Sequence, residues 1–161
     1  MEEILFLFAS NMNWKKVTKI VENKKSKDYY LKLIEQNPED SDAHNCLAII
    51  LEDEEKDFVG AKEHYLKAIK ANPYNELPYY SLSNLLFDQF HDMEGGIEYH
   101  ISALKLISDK EISYLNQAFI YETYKKYDKA KELYLKVLKI APENETARSS
   151  FHNLLKHENK L

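Results

Sequence analysis

Residues Gly60–Pro73 read GAKEHYLKAIKANP. The pattern returns as KSKDYYLKLIEQNP at Lys25–Pro38, GGIEYHISALKLIS at Gly95–Ser108 and KAKELYLKVLKIAP at Lys129–Pro142. The copies begin at residues 25, 60, 95 and 129, offsets of 35, 35 and 34 residues. Self-similarity at such a period marks stacked supersecondary units, none of which can bury its apolar face alone. The 161 residues hold three glycines and four prolines against 44% hydrophobic and 30% charged residues. That composition is poor in material for tight β-turns and suits helices, so the reading is all-α, in one domain.

Around each copy the chain divides into helix pairs. Asp28–Gln36 is expected as a helix burying Tyr30, Leu33 and Ile34, stopped by Asn37-Pro38 because the residue before proline avoids the α region. Ser41 is expected as the N-cap of the next helix, which turns His44, Leu47, Ala48 and Leu51 inward. Glu52–Asp57 reads as a charged turn before the helix Phe58–Ala71. A third pair runs over about 75–87 and 94–107, with Pro78 tolerated in the first turn, and a fourth over about 110–125 and 129–140. A last helix, 144–157, puts Phe151, Leu154 and Leu155 on one side. Upstream, Ile4, Leu5 and Phe8 form one short apolar face, and Trp14, Val17, Thr18 and Val21 form another.

With these residues in place, the chain resembles the tetratricopeptide repeat family, whose 34-residue helix–turn–helix unit has the pattern W-x2-L-G-x2-Y, then A-x3-F-x2-A, then P. The unit 41–75 carries it as His44, Leu47, Ala48, Leu51, Ala61, Tyr65, Ala68 and Pro73. In 76–110 the corresponding residues are Tyr79, Leu82, Ser83, Leu86, Gly96, His100, Ala103 and Ser108. In 111–144 they are Tyr114, Gln117, Ala118, Tyr121, Ala130, Tyr134, Val137 and Pro142. Residues 1–40 are read as an N-terminal helix and a divergent repeat, and 145–161 as a polar-faced capping helix. The resemblance implies an α-α superhelix, a TPR solenoid. Small residues at Ala48, Ser83, Ala118, Ala61, Gly96 and Ala130 let paired helices approach closely. The first two units carry one extra residue, expected in the turn between their helices.

The chemistry is bounded by what these residues lack. The formal charge of −5 and pI near 5.7 argue against a dedicated phosphate-backbone binder. The exception is local: Lys15, Lys16, Lys19, Lys24, Lys25 and Lys27 are read as a solvated helix face plus a lysine-rich turn, with a polyanion or membrane surface as the competing reading. Three glycines, two of them adjacent, supply no phosphate-cradling loop. The histidines are scattered, and His91, Asp92 and Glu94 read as a solvated turn rather than a metal site. His44 and Cys46 lie two apart on a helix and point in different directions, so no nucleophile–base pair forms. The expectation is no enzyme, no cofactor and no metal. The lone Cys46 fits a reducing, cytoplasmic compartment. Glu2 and Glu3 precede an apolar run too short to span a bilayer, so a soluble protein without membrane partners is expected.

The resemblance also implies that the first helix of each pair lines a concave groove. It assigns partner contact to Asn45, Ile49, Tyr80, Asn84, Phe87, Asn116 and Phe119, where amides can pair with a peptide backbone and aromatic walls can hold an apolar side chain. The groove edge is acidic, through Asp42, Glu52, Asp53, Asp88 and Glu122. The expected partner is therefore another protein, a neutral to basic peptide or helix, and not nucleic acid. The family's clamp for a terminal carboxylate would need cations where Tyr80, Thr146 and Ser150 stand, so no such clamp is expected. Two alternatives stay open: a small acidic secretion or assembly chaperone, and a single-stranded RNA-binding helical repeat. A homo-oligomer through the apolar stretch Ile4–Phe8 is a further possibility.

Overall fold

The computed structural model describes residues 26–158, and several of its helices begin or end on the signals above. The apolar stripes of residues 4–8 and 14–21 and the lysines from Lys15 to Lys25 lie outside the described residues. Eight α-helices follow: α1 Lys27–Gln36, α2 Ser41–Ile50, α3 Phe58–Ala71, α4 Leu77–Asp88, α5 Met93–Lys105, α6 Lys110–Thr123, α7 Tyr127–Ile140 and α8 Glu145–Glu158. There is no strand among the described residues. Each helix packs mainly on its neighbours in sequence, most extensively within the pairs α2–α3, α4–α5 and α6–α7. This is the tetratricopeptide solenoid.

Aspartates start four of these helices. Asp40, Asp57, Asp92 and Asp109 accept from the backbone N–H of Ala43, Gly60, Gly95 and Ile112 at 2.9, 2.9, 2.9 and 3.1 Å. Each satisfies one of the orphan donors of a helix N-terminus. Ser41 is thus not the cap of α2. Asp40, one residue earlier, has the stronger acceptor, and the Ser41 hydroxyl instead donates 2.9 Å to the Ala68 carbonyl on α3.

The turn inside each pair is closed by a residue in the left-handed conformation: Lys56 (φ 56°), His91 (φ 52°) and Lys125 (φ 58°). The next residue then donates back to the first helix, Asp57 N to Leu51 O, Asp92 N to Leu86 O and Lys126 N to Tyr121 O. The first two bonds reach back six residues and the third five. The additional residue of the first two units therefore sits in this turn, and in the first it winds Leu51–Glu55 into one turn of π-helix.

Between paired helices the small residues are sealed from solvent: Ala48, Ala61, Ser83, Ala118 and Ala130 are all 0% exposed. Gly96 is required for a steric reason, because a Cβ added there would lie 2.4 Å from the Phe87 ring. The Ser83 hydroxyl donates 2.9 Å to the Gly96 carbonyl across the same contact. Around these contacts Leu47, Tyr65, Leu82, Leu85, Leu86, Tyr134 and Val137 are buried.

Two outcomes are expected from urea unfolding. Gly96→Ala lowers stability by about 1–3 kcal/mol through overpacking against Phe87, and adding Phe87→Leu recovers part of the loss. Lys125→Gly raises stability by about 1 kcal/mol, because glycine adopts a positive φ without the Cβ clash that a lysine meets. An unchanged midpoint in either variant contradicts the corresponding account.

Candidate functional site

The side chains assigned to the groove fall on the first helices α2, α4 and α6, and the structure gives them different environments. Asn45 is only 2% exposed, and its Oδ1 has no hydrogen-bond partner; Asn116 is 8% exposed, and its Nδ2 has none. Asn84 is exposed. Ile49, Tyr80, Phe87 and Phe119 are half-buried, while Ile112, one turn before Asn116, is 44% exposed.

Two of the aromatic residues are tied to second helices and the third to the end of the next first helix. Phe119 meets Tyr134 edge-on with centroids 6.1 Å apart, and Tyr80 meets His100 the same way at 5.1 Å. Phe87 stacks on Tyr124 at 5.6 Å with the rings 13° from parallel. Burial pushes the Tyr80 phenol up to about 12, with the Glu76 charge as a smaller contribution. These rings hold the solenoid together and present only part of their area outward.

Sequence reasoning did not find the polar contacts that join the helices. The Tyr65 hydroxyl donates to Glu52 at 2.8 Å and that of Tyr134 to Glu122 at 2.6 Å, each linking the second helix of a pair to the end of its first. Burial, then the charge and hydrogen bond of the carboxylate, drives the Tyr65 phenol far above its usual range. Glu52 is itself raised, by burial first and then by Asp53 and Asp88, with Tyr65 and Lys56 opposing. The connectors that leave two units are tied back to the first helices of those units, by Asn75 Nδ2 to Asp42 at 3.2 Å and by Asn144 Nδ2 to Glu111 at 2.8 Å. Asp42 is therefore engaged within the fold. The recurrence of Asn75 and Asn144 just after a helix-ending proline was the available signal.

Two histidines form a contact of their own. His44 Nε2 lies 3.0 Å from the Pro38 carbonyl, which can only accept, so that nitrogen carries the proton. His44 Nδ1 lies 2.9 Å from His64 Nδ1, so one of these two nitrogens donates and the other accepts. Burial, followed by the charges of Lys67 and His44, lowers His64 to about 4. Burial alone lowers His100 to about 4. Cys46 is raised, chiefly by burial, with a hydrogen bond to Tyr30 opposing; this is the wrong direction for a thiolate nucleophile. Among the described residues no group of three histidine, cysteine or carboxylate side chains is arranged to hold a metal ion, and no helix is long and apolar enough to cross a membrane.

With this geometry in hand, two family models described as tetratricopeptide repeat match the chain, at residues 29–63 and 112–144. The chain carries tetratricopeptide repeats at both of these places. The first match runs from α1 through α2 into α3 and the second covers α6 and α7, as befits an array that has no unique starting frame. A crystal structure of MamA protein is 21% identical, with 99% of this chain and 85% of that chain covered and a TM-score of 0.53. A second crystal structure of MamA is 20% identical, covering 83% and 87%, with a TM-score of 0.50. These likenesses show a shared fold. No curated protein matches the chain.

His64 and His100 give a pH prediction. Their folded values lie near 4, below the usual 6.5, so as pH falls through 6.5 the unfolded chain binds protons that the native state refuses. The stability they contribute is complete above 6.5 and is lost progressively down to about 4. Urea midpoints should fall from pH 7 to pH 5, and the fall should be shallower in His100→Gln than in the wild-type chain. Equal slopes would exclude His100 as a cause.

Proposed function

We propose that the chain is a non-catalytic protein-interaction module that holds a neutral to basic peptide or helix of another protein in the groove lined by α2, α4 and α6. It works in the cytoplasm, as its single thiol allows. Three units, 41–75, 76–110 and 111–144, form the array, and 145–161 caps it. The observation that carries the reading is the row of side chains left open on successive first helices: exposed Asn84 on α4 and Ile112, 44% exposed, on α6, flanked by half-buried Tyr80 and Phe119. An exposed amide between apolar and aromatic surfaces suits an extended segment, whose backbone needs a donor and an acceptor and whose side chains need apolar seats. Half-buried Ile49 and Phe87 extend its walls, and Asn45 and Asn116, assigned to the same face, are buried.

The test uses a peptide selected for binding from a display library. Asn84→Ala combined with Ile112→Ala removes two exposed groups and should leave the melting temperature within about 2 °C, as exposed substitutions usually do. Binding of the peptide should weaken at least tenfold. Undiminished affinity in a folded double variant would remove the groove from consideration.

A further inference from the structure

The turns inside the three helix pairs come together along one edge of the solenoid. Lys62 on α3 carries its Nζ 4.8 Å from the centre of the Phe90 ring, in the turn between α4 and α5. Glu94 at the start of α5 takes the Lys126 Nζ at 3.1 Å from the turn before α7. Phe87 stacks on Tyr124 beside these turns, and the Asp88 charge bears on both Glu52 and Tyr124. The first, middle and third turns are therefore neighbours in that order, one repeat apart.

The chemistry changes along that line. The first turn, 53–57, holds Asp53, Glu54, Glu55 and Asp57 against Lys56 alone. The third, 124–129, holds Lys125, Lys126 and Lys129 against Asp128, which Lys131 already meets at 2.9 Å. The pairs Lys27–Glu55 and Lys126–Glu94 reduce both charges without changing either sign. Between the two ends, large apolar side chains face solvent. Phe90 is 37% exposed and Met93 50%, and Val59, one turn before Lys62 on α3, is 62% exposed. Their place in the repeat does not require this, since Phe58 follows its capping aspartate as Met93 follows Asp92, yet Phe58 packs on the core. An exposed apolar patch bordered by charge marks a protein contact, whereas single exposed residues do not.

A line that runs in equal steps from acid through apolar to base is complementary to itself when turned end for end. A two-fold dimer needs a surface of that kind, because the same patch is used by both copies. We infer that this edge joins two copies of the chain about a two-fold axis. Phe90 and Met93 meet their counterparts at the axis, and the acidic first turn of each copy faces the basic third turn of the other. The acids beside Met93 do not oppose this, since Asp92 accepts from the Gly95 N–H and Glu94 is paired with Lys126. An unrelated partner would have to match three successive turns in chemistry and spacing, which a second copy does by construction. The contact does not rest on the groove reading above.

Sedimentation velocity of the full chain over a concentration series tests it, with circular dichroism confirming that each variant keeps its helix content. The wild-type chain should dimerise at low salt below about 1 mM, and the association should weaken at least tenfold in about 1 M sodium chloride. Met93→Glu places a carboxylate at the first position of α5, where it suits the helix dipole, and brings two like charges together at the axis. This variant should stay monomeric. Lys125→Glu/Lys129→Glu makes both ends of the edge acidic, and Asp53→Lys/Glu55→Lys makes both basic. Each alone should be monomeric, but an equimolar mixture of the two should dimerise, because both ends of the mixed pair then match. A wild-type chain that stays monomeric throughout would overturn the inference. So would a dimer that withstands Met93→Glu, which would belong to another surface, or charge variants that fail to associate on mixing.

Discussion

The close approach of paired helices over residues with almost no side chain governs this structure. Where Ala48 faces Ala61 and Ala118 faces Ala130, backbone comes nearly to backbone, and both pairs are fully sealed. At that separation a tyrosine one turn further along the second helix reaches the last turn of the first. Tyr65 thereby finds Glu52, and Tyr134 finds Glu122. A larger residue at any of the four alanines would move the helices apart and cost a hydrogen bond as well as packing contacts.

The middle unit tests this logic because it departs from it in several places at once. His100 stands where the other units have Tyr65 and Tyr134, and Phe87 stands where they have Glu52 and Glu122. The replacements go together, because a phenol opposite a phenylalanine would lose its acceptor. The larger Phe87 ring then needs room, which Gly96 supplies in place of Ala61 or Ala130. Ser83 replaces Ala48 and Ala118, and its hydroxyl is bonded to the Gly96 carbonyl. Phe87 is free to stack on Tyr124 of the next unit, and Tyr80 closes over His100. The unit has exchanged a polar lock within the pair for an aromatic lock between pairs.

Much of this was legible before any coordinates. The period of 35, 35 and 34 residues, the proline stops and the small residues at fixed offsets were enough to define the pairs, because the second helices meet nearly the same surroundings in every unit. The capping of α2 was misread by one residue, since Asp40 and Ser41 are both good caps and only the position of the Ala68 carbonyl decides between them. The groove was legible as a face but not in depth. Asn45, Asn84 and Asn116 look alike in the pattern, yet the first and last are buried and Asn84 is open, because exposure depends on how adjacent units lean on each other. The bond between His44 and His64, twenty residues apart on different helices, leaves no local signature.

The division of labour between the two kinds of helix follows from where stability comes from. The ion pairs, such as Lys27–Glu55 at 2.7 Å and Lys136–Glu132 at 2.7 Å, join exposed or half-exposed groups, and such pairs contribute little to stability. The sealed contacts between helices carry the fold, and surface charge is left free to vary. Lysines at the ends of α3, α5 and α7 complement their helix dipoles, whereas carboxylates at the ends of α2, α4 and α6 oppose theirs. A fold held by packing tolerates that small opposition, and the side chains that tolerate it lie on the same helices as Asn84 and Ile112.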